Sequence, residues 1–251
     1  MTSRLVPVLF VIALQTVSKP PARSAADDHL ATTHYRSGWE LIAHESWAEA
    51  VREFEAAVGL NPDFKLAYYG VGRANMGLKN FSDAVRAYER CRDLYLAQAS
   101  RNFSNKADAD RIMADDAMQI DMAISRLQAG PQTAQTQAQI RDWQMQKQRL
   151  QNRTRGLDNL SLTSPVPSVV SLALGSAYFR SERFADAERE YKAAIGADPK
   201  SGEAHSNLAV VYLYGGRYDE AENEVKAAEK VGFTVNPNLK EDIRKKKAGG
   251  L

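Results

Sequence analysis

The chain has 251 residues, with 33 Lys plus Arg against 31 Asp plus Glu and a formal net charge of +2. So even a balance excludes a broad nucleic-acid-binding surface, while an apolar fraction of 44% is ordinary for a chain that packs a core. The single cysteine, Cys91, excludes an intrachain disulfide, so packing must hold the fold.

The N-terminus opens with one positive charge at Arg4, an apolar run from Leu5 to Leu14, and polar residues at Gln15 and Thr16. Small residues follow at Ser24, Ala25 and Ala26, just before Asp27 and Asp28. This layout predicts that residues 1–26 are a secretory signal peptide or an N-terminal anchor. The apolar run is shorter than the ~20 residues of a membrane span. Export to the periplasm or the medium is therefore expected, with a membrane anchor as the alternative. Cleavage is expected to leave a mature N-terminus near Ala25 to Asp27.

From residue 31 onward, small and aromatic residues recur 34 positions apart: Gly38 with Gly72, Ala50 with Ala84, Phe54 with Tyr88, and Ala57 with Cys91. These define repeats 1 and 2 over 31–96. The same register returns over 167–233, where Leu174, Gly175, Tyr178, Ala187, Tyr191 and Ala194 are followed by Leu208, Ala209, Tyr212, Ala221, Val225 and Ala228. Each copy splits into two helical segments joined by a polar turn, such as Ser181-Glu182-Arg183. The small residues let the two helices approach, and the aromatic fills the wedge between them. The second small site, which includes Cys91, lets the next repeat stack. Pro62 and Pro199 cannot continue a helix and end the second one.

Residues 97–166 belong to neither pair. Repeat 2 has Leu96 at the proline site, so its second helix is expected to run on toward Ser100. Met113, Ala117, Ile120, Ile124 and Leu127 form a seam of the coiled-coil type. Gly130-Pro131 breaks it, and a second, polar arm follows with Ile140, Trp143 and Leu150 on one face, interrupted by Lys147. The two arms read as an inserted antiparallel hairpin, and Gly156 to Pro167 as a linker. A solvent-exposed spacer and an arm for dimerisation or partner binding both fit. Asp115-Asp116, in a polar stretch, is read as a solvated face or a helix N-terminus rather than a catalytic dyad. Residues 234–251 hold a capping helix at 237–247, whose basic end Arg244 to Lys247 suits the helix dipole.

No catalytic or metal-binding constellation is present in the sequence. His29, His34, His44 and His205 form no His-x-x-x-His pair, and there is no phosphate loop or nucleophile elbow.

The third copy, Leu174-Gly175-x-x-Tyr178 with Ala187-x-x-x-Tyr191, Ala194 and Pro199, resembles the tetratricopeptide repeat. The departures are His34, Tyr68, Ser171 and His205 at the usual first-helix tryptophan site, Val225 at the fourth aromatic site, and Phe233 at the fourth proline site. The resemblance implies an all-α solenoid with an inserted hairpin and a C-terminal cap. It implies a scaffold or adaptor that binds proteins or peptides, without enzymatic activity, cofactor or nucleic acid. It also implies that the first helices line a concave groove. The lining would be Tyr35, Trp39 and Ile42; Tyr69, Arg73 and Met76; Leu172, Ser176 and Phe179; and Ser206, Val210 and Leu213. The lysines and asparagines with which some family members grip a carboxylate are replaced by Tyr35, Trp39, Leu172 and Ser176. The groove is thus expected to be apolar and aromatic, with Arg73 as its main charge. A membrane-tethered assembly factor and a regulatory subunit of an enzyme complex are the alternatives. Self-association through the insertion is a further expectation.

Overall fold

The computed structural model describes residues 24–100, 106–154 and 166–249. The apolar leader and most of the expected linker, including Gly156, lie outside the described residues. Among the described residues there are eleven helices and no strand: α1 (Ala25–Ala43), α2 (Trp47–Leu60), α3 (Lys65–Gly77), α4 (Phe81–Ser100), α5 (Lys106–Ala129), α6 (Ala134–Thr154), α7 (Ser168–Arg180), α8 (Phe184–Ala197), α9 (Gly202–Tyr214), α10 (Tyr218–Lys230) and α11 (Pro237–Ala248). None of these helices is long and apolar enough to cross a membrane. Ser24 caps α1 reciprocally with Asp27, so this helix starts about two turns before its counterparts α3, α7 and α9.

The turn within each repeat is set by backbone chemistry. Glu45, Lys79, Glu182 and Gly216 all have positive φ, at the same register. The next amide in each case closes back onto the carbonyl of Leu41, Asn75, Tyr178 or Tyr212 at 2.9 Å. This is the Schellman closure, which satisfies carbonyls that a helix end leaves free. Only repeat 4 uses glycine there; the others hold a side chain in the left-handed region.

The wedge residues pack as their spacing predicts. Phe54, fully buried, lies between α1 and α3, where a Cβ at Gly38 or Gly70 would fall 2.7 or 2.5 Å from its ring. Tyr88, Tyr191 and Val225 are buried at the same station, and so is Cys91 at the second small site. Burial pushes the Cys91 thiol up to about 12, so it is a packing residue rather than a nucleophile.

The solenoid is continuous across the insertion. α4 packs on α7 as α2 packs on α3 and α8 on α9. Two polar ties cross that joint: Arg92 with Glu190 at 3.0 Å, and the Tyr178 hydroxyl donating to Glu89. At the C-terminal end, Leu239 and Ile243 of α11 are buried, and Lys247 reaches back to Asp219 and Glu222 of α10 at 2.6 and 2.7 Å.

Two histidines at the usual tryptophan site do one job. His34 Nδ1 lies 2.8 Å from Glu53 and His205 Nδ1 lies 2.6 Å from Glu224, each tying first helix to second. The bond to Glu224 raises the His205 pKa above its ordinary 6.5. A raised folded value means that the stabilisation is complete below the ordinary value and is lost as pH climbs through the folded one. His205→Gln is therefore expected to lose up to about 1 kcal/mol at acidic pH. The deficit should shrink toward zero in alkaline buffer. Urea denaturation across pH reads this directly, and a pH-independent difference would refute it.

Candidate partner-binding groove

The first helices approach one another in sequence, α1 with α3, α3 with α7 and α7 with α9, and the second helices make no comparable approach. The first helices therefore form the inner wall of the curve. Tyr35, Trp39 and Tyr69 form a run of rings across it, at 6.2 Å between Tyr35 and Trp39 and 6.4 Å between Trp39 and Tyr69. Tyr69 continues the run to Tyr88 at 5.4 Å. Ile42 and Met76 are half-buried and Arg73 is exposed. Phe179, Val210 and Leu213 lie half-buried further along, against the core of repeats 3 and 4. Leu172 is buried, and Ser176 turns inward, donating to the Leu172 carbonyl at 2.9 Å and accepting from Tyr191 at 3.2 Å. Ser206 is half-buried.

The wall of repeats 1 and 2 is already covered, and the cover is the inserted hairpin. Ile120, Ala123 and Ile124 of α5, with Ile140 and Trp143 of α6, join one buried cluster with Tyr35, Phe54 and Phe64. The insertion is neither a solvent-exposed spacer nor a free dimerisation arm, because its seam is spent inside this chain. Met113 falls among residues whose side chains are not described. Lys147, which interrupts the second arm, pairs with Asp121 across the hairpin at 2.6 Å.

Polar anchors hold the hairpin in place. Asp116, 5% exposed, forms a buried ion pair with Lys65 and accepts from Gln98. It is therefore not on a solvated face, as its polar neighbourhood suggested. The Arg126 guanidinium lies 3.3 Å from the centre of the Trp39 ring and donates to the Tyr35 hydroxyl at 3.1 Å. Asp142 accepts from the amides of Ser168 and Val169, both at 3.2 Å. Pro167 gives α7 no side-chain cap, so a carboxylate from α6 meets the positive end of that helix. Gln135 donates to Glu203 of α9 at 2.9 Å. Burial raises the pKa of Glu203, against the opposing pull of Gln135 and Arg73.

The fit has gaps. The Trp39 indole nitrogen and the Gln119 carbonyl oxygen are buried without partners, and each such group costs about 1–3 kcal/mol. An open cleft of about 920 Å³ runs between α1 and α5, lined by Trp39, Met118 and Met122 among others.

The wall of repeats 3 and 4 is covered by α6 only at the N-terminal ends of α7 and α9, and its open rim holds two residues absent from the expected set. Phe184 and Tyr214 stack at 5.7 Å, and Phe179 meets both edge-on at 5.5 and 5.4 Å. Tyr214 is 67% exposed and Phe184 37%. A signal for them is present in the sequence. Trp47, Phe81, Phe184 and Tyr218 each open a second helix, in repeat register. The aromatic of one repeat lies against the end of the next first helix. Trp47 faces Gly77, where a Cβ would fall 2.3 Å from its ring. Phe81 lies under Arg180 at 5.0 Å, and Phe184 stacks on Tyr214. Only in the last pair are both members large rings left open to solvent.

A family model described as tetratricopeptide repeat matches residues 35–109 and 172–230. No curated protein matches the chain. Among solved structures, TTC0263, a thermophilic repeat protein of Thermus thermophilus, is similar at 18% identity over 87% of this chain and 99% of its own, with a TM-score of 0.36. PilW, a type IV pilus biogenesis factor, is similar at 14% over 88% and 87%, with a TM-score of 0.40. YrrB, a repeat protein with an unusual peptide-binding site, is similar at 14% over 89% and 94%, with a TM-score of 0.28. At these scores the likenesses carry no functional inference.

Proposed function

The chain belongs to the tetratricopeptide repeat family, and from that premise we propose that it is a non-catalytic interaction scaffold of the cell envelope that holds a partner segment on the open half of its inner wall. The observation that carries the reading is the ring group in which exposed Tyr214 and Phe184 meet half-buried Phe179. Large rings left partly in water at the rim of a concave wall are suited to anchor a protein interface. Arg73, exposed on α3, adds a cation that suits an acidic residue on the partner. Tyr69, half-buried between Trp39 and Tyr88, supports the wall more than it presents to a partner.

The test is Phe184→Ala combined with Tyr214→Ala. Tyr214 is mostly exposed and Phe184 about a third exposed, so only a small fall in melting temperature is expected. Capture of the partner pulled from the native envelope by the wild-type protein should weaken by about 2 kcal/mol or more. Equal capture by a variant that melts like wild type would refute the open-half assignment. The envelope location rests on the leader pattern of residues 1–26. Intact-mass measurement should find that segment removed, or, for the tethered alternative, detergent should be needed to extract the protein. A soluble cytoplasmic protein retaining Met1 would refute both.

A further inference from the structure

Polar ties run from the hairpin to every one of the four first helices. Arg126 of α5 donates to the Tyr35 hydroxyl on α1 at 3.1 Å, and Asp116 of α5 pairs with Lys65 at the start of α3. From α6, Asp142 accepts at 3.2 Å from the Ser168 and Val169 amides that open α7, and Gln135 donates at 2.9 Å to Glu203 in the first turn of α9. Apolar packing crosses the same span. Ile140 and Trp143 share one buried cluster with Tyr35 and Phe64 on one side and with Val166, Val169 and Val170 at the start of α7 on the other. Lys147 and Asp121 tie the two arms to each other at 2.6 Å.

In a stack of repeats each unit touches only its neighbours, so small rotations at successive interfaces add along the stack and its curvature is soft. A chord across the inside of the curve removes that freedom, because opening the curve must stretch every tie at once. We propose that the hairpin is a strap that fixes the curvature of the whole solenoid, holding repeats 1 and 2 against repeats 3 and 4 beyond what the α4–α7 joint achieves. Strapped, the inner wall keeps one spacing between its covered half and the rim at Phe184 and Tyr214. A wall already held in one shape loses less conformational freedom when anything binds it. The strap works without a partner, so it stands or falls separately from the scaffold reading.

The experiment measures, in the full chain, the distance between spin labels on Arg52→Cys and Asn223→Cys by double electron–electron resonance. Both positions are exposed, on α2 and α10, and Cys91 is completely buried, so the labels go to the two introduced thiols. Two sets of changes cut the strap. Gln135→Ala with Lys147→Ala removes the tie to α9 and the tie between the arms, and neither residue is buried, so this variant keeps the fold. Adding Asp142→Ala and Pro167→Ser also removes the tie to α7, while the introduced hydroxyl gives that helix a side-chain cap of its own. The protein with its strap intact should show one narrow distance distribution. The first variant should broaden it, and the second should at least double its width, with helical circular dichroism unchanged. A hairpin that only covers its own patch of wall would leave the distance alone. A distribution as narrow as that of the intact strap in the first variant, or in the second where it folds, overturns the proposal.

Discussion

Phe54→Ala is expected to lower stability by about 3–5 kcal/mol. The ring is completely buried and touches Tyr35 and Trp39 edge-on at 6.0 and 5.3 Å. Glycines border it on both flanking helices, so no neighbouring side chain exists there to relax into the space. The cavity therefore persists, which is the condition under which truncation costs most. The same rings carry the docked α5, so loss of Phe54 also loosens the floor beneath Arg126. Thermal circular dichroism should show a fall of roughly 6–20 °C for a chain of this size. A shift of only a degree or two would mean that Phe54 does not fill the wedge between repeats 1 and 2.

Asp116→Ala is expected to cost a similar amount, about 3–5 kcal/mol, by a different mechanism. Lys65 is 7% exposed, with its ammonium beside the Tyr95 ring at 5.3 Å. Without Asp116 that charge stays in the core with no counter-ion. The double change Lys65→Met with Asp116→Leu should recover most of the loss, because two apolar side chains of similar size need no partner. Urea denaturation of the single and double variants decides the matter. A single variant within about 1 kcal/mol of wild type would place the pair in water and the hairpin off the wall, since exposed pairs contribute no more than that. Deletion of the hairpin is expected to be more disruptive than loss of an appendage, because it also strips the N-terminus of α7 of its Asp142 cap.

Much of the fold is legible in the sequence. The 34-residue recurrence of Gly38, Ala50 and Phe54 predicts helix pairs because a wedge needs a small residue on one helix and a ring on the other. Leu96 in place of the helix-stopping proline predicts that α4 runs on, and it is helical through Ser100. Gly130-Pro131 predicts the break between α5 and α6. The candidate site is legible only in part. Phe184 and Tyr214 lie outside the wedge pattern, which marks buried residues, whereas their register marks the rim.

The periodic and local features are written in the residues themselves: the all-α class, the repeat length, the positions of the turns and the residues that pack within each helix pair. These follow from contacts close in the chain, and four copies restate them. That the hairpin folds back over the wall of repeats 1 and 2 emerges from long-range packing alone. The bonds that hold it join Asp116 to Lys65, Arg126 to Tyr35 and Asp142 to α7, across stretches with no shared period. An apolar seam such as Ile120 and Ile124 fits any apolar surface, and an aspartate in a polar run carries no local mark of burial. Which surface the hairpin covers, and so which half of the groove stays open, is settled by shape and charge matching between distant segments.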